Sequence, residues 1–409
     1  MIIIKLAWRN LWRNVRRTLI TISAMSLALS IMILTLSLVE GMHRQMVHYA
    51  TRLFAGDIQI HKKGYFESKD IYDYLSGGGA DTLAAVRRPG LHASPRLFGS
   101  GLASSGENST GTILWGIDPQ QERRVTELSS HLLKGGFLTS RSGKEVVLGK
   151  MLAENLKVDV GDELVILTQA ADGSLGNDIF SVRGVLQSIG DEIDRGAVIM
   201  GIDELGKLLV LPDKVHEIAI SLSRPEMVDG IQAQLEKILE GKGVEVCSWK
   251  EIFPQIKEML ELNQVWMYIM LLIVFGLASL GVLNTMLMAL FERTREFGLV
   301  MALGLRPLSI VGMILLETLL LSLVSTVVGA AVGIGLSSYL AAHGWNLSRF
   351  SEGFSMSGLT VSTTIYAHLS MGGVFASIIC MILVSLVAAF YPAIKAARLE
   401  PVSALSTVG

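Results

Sequence analysis

The chain has 409 residues, half of them hydrophobic and only 18% charged, with a mean hydropathy of +0.49 and a formal net charge of -2. So apolar a composition excludes a purely soluble protein, and the near-neutral balance excludes a charge footprint for nucleic acid. The charges are segregated: basic residues gather at the ends of apolar runs.

The opening stretch, MIIIKLAWRNLWRNVRRT, places Ile4, Trp8, Leu11, Trp12 and Val15 at helical spacing among Arg9, Arg13, Arg16 and Arg17. This predicts a basic amphipathic helix over 1–17 in the cytoplasmic headgroup layer, with a plain topogenic charge cluster as the equal alternative. Thr18 to Val39 carries no charge and can cross a bilayer, which takes about 20 apolar residues. It exceeds the roughly 7–15 residues of a signal-peptide core and no small-x-small site follows, so it reads as an uncleaved anchor over 18–39.

The segment 40–264 reads as a mixed α/β domain. GDIQIHK (Gly56 to Lys62) alternates as a strand does, and Glu145 to Gln169 reads as strand, short helix, Gly-Asp turn and strand. DIFSVRGVLQSI and GAVIMGIDELGKLLV continue the alternation of strand and helix. His216 to Ser223 is a strand, Pro225 starts a helix, and VEVCS closes the domain as a strand. Ser76 to Gly111, rich in Gly, Ser and Ala, is expected to be loop with one short helix.

Phe253, Ile256, Met259, Leu260 and Val265 carry a helical pattern into the second span, 265–290, with no breaker after Pro254. One continuous helix would give a stiff mechanical link. Asn284 reads as interhelical hydrogen-bonding glue. Met267, Met270 and Phe275, with Met42 after the first span, are candidates for an outer-leaflet entry of lipid; the simpler reading is side chains that face lipid.

Residues 291–309 break the apolar run with Glu292, Arg293, Arg295, Glu296 and Arg306. Phe297, Val300 and Met301 fall at i, i+3 and i+4, which predicts a short amphipathic helix able to dock a soluble partner. A polar hairpin between two spans would also carry charges, but it would not need an apolar face.

The third span, 310–340, contains Glu317, read as an interfacial carboxylate that pairs with Arg293 or Arg295 in preference to a proton relay. Gly329 and Gly333 place small residues four apart, which permits close helix contact. A short loop, 341–370, carries only Arg349, and a fourth span, 371–391, ends at Pro392 before the tail 392–409. With four crossings every basic cluster falls on one side, so both termini and 291–309 are expected in the cytoplasm and 40–264 outside. Cys247 and Cys380 fall in the external segment and the fourth span, which argues against a disulfide between them.

The chain lacks the usual devices of catalysis. Its Gly-Lys pairs, at 143–144, 149–150, 206–207 and 241–242, are followed by Glu, Met, Leu and Gly, so no phosphate loop is formed. His216-Glu217 leads into Ile-Ala-Ile, not a zinc-protease helix, and GFSMSG has the wrong spacing for a nucleophile elbow. The eight histidines form no pairs at i, i+4, and no metal or cofactor site is expected in this chain.

ERTREFGLVMALGLRPLSIVGMILLETLLLSLVSTVVGAAVGIGL and the ending FYPAIKAARLEPVSAL resemble the FtsX-like ABC transporter permease superfamily. The start LAWRNLWRNVRRTLITISAMSLALS, with GDIQIH and EVVLGKMLAENLKVDVGDELVILTQAADGS, resembles its LolC/LolE-like lipoprotein-releasing branch, related to MacB. The resemblance implies four transmembrane helices with a large α/β domain between the first and second. It implies that 291–309 is a coupling helix, with Glu292, Arg293, Thr294, Arg295, Glu296, Phe297 and Gly298 docking to a soluble ATPase dimer, and ATP and Mg bound there and not in this chain. It further implies a second permease subunit, lipoprotein cargo, a periplasmic carrier, and mechanotransmission across a bacterial inner membrane. The alternatives are a MacB-like efflux permease with an adaptor and outer-membrane channel, and an FtsX-like signalling subunit that controls cell-wall hydrolases.

Overall fold

The computed structural model describes residues 2–86, 88–346, 354–356, 359–361 and 364–399. Arg349 and the end of the tail, 400–409, lie outside the described residues. The chain forms two compact units. One is helical, from Met1–Arg44, Leu260–Leu347 and Thr364–Gly409; the other is mixed α/β, from Gln45–Met259 and Ser348–Thr363.

Among the described residues four helices, each wholly or largely in the helical unit, are long and apolar enough to cross a membrane: Ala7–Ala55, Pro254–Glu292, Pro307–His343 and Met371–Ala397. The first comprises an N-terminal helix Ile2–Leu11, a short 3-10 turn Trp12–Asn14, and the long helix Val15–His48. The N-terminal helix turns Ala7 and Leu11 inward and leaves Trp8 exposed, as are Trp12 in the turn and Val15 at the start of the long helix. The apolar stripe expected from spacing is therefore divided between a packed side and a bare side rich in tryptophan.

The helices pack through Met25, Leu29 and Ile33 of the first, Phe275 and Val282 of the second, Ile314 and Leu321 of the third, and Met381 and Ala389 of the fourth. Where the first and third meet, Ser26 Oγ donates to the Ser325 carbonyl and Ser30 Oγ to that of Gly329, both at 2.9 Å. A Cβ on Gly329 would stand 2.8 Å from the Ser26 carbonyl oxygen, so only glycine permits this approach. The fourth helix continues past Pro392 to Ala397, beyond the end expected at the proline. Leu272, Leu277, Val327 and Val387 point outward with most of their surface bare, as lipid-facing side chains do.

The α/β unit is built on ten strands: β1 (Ile58–Lys62), β2 (Leu91–Ser105), β3 (Asn108–Ile117), β4 (Leu132–Gly135), β5 (Glu145–Leu148), β6 (Glu163–Gln169), β7 (Leu175–Leu186), β8 (Ala197–Gly201), β9 (Glu217–Leu222) and β10 (Val244–Ser248). They run in the order β10-β1-β9-β2-β3-β8-β5-β7-β4, with β6 pairing β2 and β7. Most neighbours are antiparallel; β3–β8 and β5–β7 are parallel.

The stretch Ser76 to Gly111, expected to be loop, holds helix Ala80–Val86, then β2 and the start of β3. Its small residues are sheet positions under close approach. A Cβ on Gly99 would meet the Leu209 side chain at 2.9 Å, and one on Gly101 the Leu167 carbonyl oxygen at 2.7 Å. Pro95 is tolerated because β3 pairs with β2 only from Arg96 onward, leaving β9 as the single partner there. One side of the sheet buries Trp115, Ile117, Val147, Leu186, Ile193 and Ile199.

Candidate functional site

The charged loop folds as a helix, Thr294–Ala302, between the second and third spans. Its polar residues are tied to the N-terminal helix and the third span. Arg293 is buried and donates to both carboxylate oxygens of Glu317, at 3.0 and 3.2 Å. Asn10 completes the set: its side chain donates to Glu317 at 2.6 Å, and its carbonyl accepts from Arg293 at 3.2 Å. Nearer the surface, Arg17 pairs with Glu292 at 2.8 Å and Arg13 with Glu296 at 2.7 Å. The loop is thus held by three ion pairs, two to the start of the first membrane segment at Arg13 and Arg17 and one to the third span, while Asn10 ties in the N-terminal helix.

Phe297 does not form an open docking face. It is 5% exposed and belongs to the core of the helical unit, with Gly298 buried beside it and Met301 packed against the same core. The amphipathic stripe seen in the sequence anchors the loop helix to its own spans. Bare apolar side chains here include Leu299, Val300, Leu303 and Leu305, flanked by exposed Arg295 and by Glu296, with Phe291 and Leu308 bare at the two ends of the loop.

At the other end of the helical unit lies a recess of about 180 Å³, bounded by Leu36, Glu40 and His43 of the first helix, Gln264 and Met267 of the second, and Val374 of the fourth. Asn263 Nδ2 and His43 Nε2 are 3.3 Å apart, bridging the first two helices. Among the candidate entry residues, Met267 lines this recess, Met42 is half-buried, and Met270 faces outward. Phe275 belongs to the core, not to an open face. Asn284 is exposed, and among the described residues it holds no other helix; its neighbour Thr285 bonds to Thr21 at 2.8 Å and takes the role expected of Asn284.

The α/β unit has a cavity of about 670 Å³, within the range of ligand-sized pockets. Its wall includes Arg96, which is fully buried and donates to Glu122 at 2.6 Å and to Glu217 at 2.8 Å. Burial pushes the Glu217 carboxyl up from its ordinary range, and Arg96 opposes that shift. The Arg96 guanidinium also lies 5.0 Å from the centre of the Trp115 ring, which stacks on Phe98. His216 accepts from the Phe98 amide through Nδ1 at 3.1 Å and faces the Ile71 carbonyl with Nε2 at 2.9 Å. Burial lowers its pKa, in keeping with a neutral ring that donates through Nε2. No spacing in the sequence joins Arg96, Glu122 and Glu217: the strand register makes Arg96 and Glu217 direct partners across β2 and β9, and Glu122 comes from the helix Pro119–Val125.

Comparison with known proteins decides the family. The FtsX-like permease C-terminal family matches residues 268–401, and the MacB-like periplasmic core domain matches residues 18–238, more than half of the chain. The chain belongs to the FtsX/MacB-like permease family. This permease is 24% identical to the lipoprotein-releasing system transmembrane protein LolC of Neisseria meningitidis, over 95% of the present chain and 93% of that one. The pyoverdine export ATP-binding/permease protein PvdT of Pseudomonas putida is also 24% identical, over 98% of this chain and 59% of its own length. The solved periplasmic region of MacB from Actinobacillus actinomycetemcomitans aligns with 49% of this chain and 92% of its own, at 16% identity and a TM-score of 0.36.

The permease is therefore an ABC transporter component of the FtsX, MacB and LolC kind. It has four membrane helices, with a periplasmic α/β domain between the first and second.

Proposed function

We propose that this permease receives a push from a separate ATPase dimer at the Thr294–Ala302 helix and relays it through its membrane helices to the periplasmic domain, releasing lipoproteins from the inner membrane to a periplasmic carrier. The carrying observation is the tie of Arg293 to Glu317 and Asn10, which makes the loop helix, the N-terminal helix and the third span move as one body while Arg295, Leu299, Val300 and Leu303 stay free to meet a partner. Glu292, Glu296 and Thr294 shape the loop, and Phe297, Gly298 and Met301 seat it. The 39-residue helix Pro254–Glu292, unbroken and ending at the loop, is a stiff lever for the relay.

Cargo release is supported by the likeness to LolC along nearly the whole chain and by the recess at Met267, walled by the first, second and fourth helices, as a place for an acyl chain. In this reading both termini and the loop face the cytoplasm, and a second permease subunit completes the transport path, since four helices enclose no wide passage. An efflux role is the second reading, favoured by the likeness to PvdT over 98% of this chain. Photo-crosslinkers at Leu36 and Met267 in the assembled complex separate the two. Capture of acylated protein supports lipoprotein release; capture of soluble small molecules alone overturns it in favour of efflux.

A further inference from the structure

The eight histidines form no pairs at i, i+4, but the sheet of the periplasmic domain assembles a set of metal-ligand types from two neighbouring strands. His61 of β1 stands directly opposite Glu245 of β10, and Gln59 opposite Cys247. Side chains two apart on a strand share a face, so Glu245 and Cys247 project on the same side as His61. One donor atom from each of His61, Glu245 and Cys247 lies within 4.8 Å of the other two.

The three are held in place. His61 Nδ1 is 2.8 Å from Glu245 Oε1, which also accepts from the Gly64 amide at 3.3 Å. The His61 ring is stacked against Phe66 and tilted on Tyr65, both with centroids 5.9 Å away, and only 1% of its side chain is exposed. Yet its Nε2 is buried without a hydrogen-bond partner among the described residues. The ring nitrogen that faces the Glu245 carboxylate is Nδ1, and that pairing sets the ring beside Glu245 and Cys247. Cys247 is a free thiol, half-buried, and forms no disulfide among the described residues.

We propose that His61, Glu245 and Cys247 bind a divalent transition metal of the zinc class, clasping the edge strand β10 to β1. One nitrogen, one oxygen and one sulfur suit a borderline-soft ion, and three protein ligands leave a fourth position for water or a partner's side chain. β10 lies at the end of the sheet, with β1 as its single strand neighbour among the described residues, and leads through helix Trp249–Ile252 to the long helix Pro254–Glu292. A metal here reinforces the last strand before the chain returns to the membrane.

The test uses the untagged full chain in detergent, stripped of metal and titrated with Zn²⁺ against a chromophoric chelator. One equivalent per chain is expected. Cys247→Ser should weaken binding by more than the roughly 10–100-fold seen on loss of an outer-shell partner. With Co²⁺ in place of Zn²⁺, the wild type and Cys380→Ser should show a thiolate-to-metal charge-transfer band that Cys247→Ser lacks. His61→Ala removes a buried side chain and risks the fold, so the half-buried Cys247 position carries the decision. Less than one equivalent bound, or unchanged affinity and spectrum in Cys247→Ser, overturns the site.

Discussion

Arg293 and Glu317 form an ion pair at 3.0 Å with both side chains under a tenth exposed, one on the loop between two spans and the other a few turns into the third. Removing one partner of such a pair leaves the other charge buried and costs roughly 3–5 kcal/mol, whereas replacing both with apolar side chains can be nearly neutral. Glu317→Leu should therefore sharply lower the thermal stability of the solubilised permease, and Arg293→Leu/Glu317→Leu should recover much of it. If stability returns but stimulation of the ATPase does not, the pair transmits force. Recovery of both would confine it to folding.

The loop helix separates seating from docking. Phe297→Asp places a charge in the core of the helical unit and should abolish folded protein. Leu303 is 80% exposed, so Leu303→Asp should change stability by no more than about 0.5 kcal/mol. The same change should lose ATPase copurification. Retained copurification with Leu299→Asp/Leu303→Asp would remove the proposed docking face.

How much of this was legible in the sequence differs by element. The spans were, because a run of uncharged residues long enough for a bilayer has few other uses. So were Glu145–Leu148, Lys150–Leu156 and Glu163–Gln169, where alternation, a short helical run and a Gly-Asp turn agree. The loop helix was legible as amphipathic, but the pattern of Phe297, Val300 and Met301 cannot tell an external partner from the protein's own core. Gly99 and Gly101 read as loop because nothing local reveals that Leu209 and Leu167 press on them. Arg96 and Glu217, like His61 and Glu245, are joined by strand register, which pairs residues far apart in the chain, and Glu122 reaches Arg96 from a helix, Pro119–Val125.

The buried polar wall of the periplasmic domain should respond to pH through His216. Its folded pKa lies below the ordinary value, so the folded state favours the neutral ring. Its share of stability is complete above about pH 6.5 and is lost as pH falls from there toward the depressed folded value. Glu217 acts in the opposite sense. Its folded pKa is raised, so its share is present below the ordinary carboxylate pKa and is lost as pH rises through the raised value. Thermal unfolding followed from about pH 8 to pH 5.5 should show the midpoint falling more steeply in the wild type than in a variant without the His216 ring, because Glu217 and the other groups act equally in both. His216→Gln, which keeps a donor for Ile71 and does not titrate, should flatten that slope. An unchanged slope would remove His216 as its origin.

Gly329 tests the contact between the first and third membrane helices. The Cβ of any other residue would press against the backbone of Ser26 and the Cβ of Leu29, and backbone cannot yield as a flexible side chain can. Gly329→Leu should force the helices apart, break the bonds from Ser26 and Ser30 to the Ser325 and Gly329 carbonyls, and cost at least the roughly 1–3 kcal/mol typical of overpacking. Gly335, further along the same helix, has nothing within 4 Å of where a Cβ would stand, so Gly335→Leu serves as the control and should unfold near the wild-type temperature. Because Glu317 lies on the same helix, a displaced third helix should also weaken ATPase stimulation in Gly329→Leu while Gly335→Leu keeps it. Equal stimulation in the two variants would show that close packing at Gly329 serves stability alone.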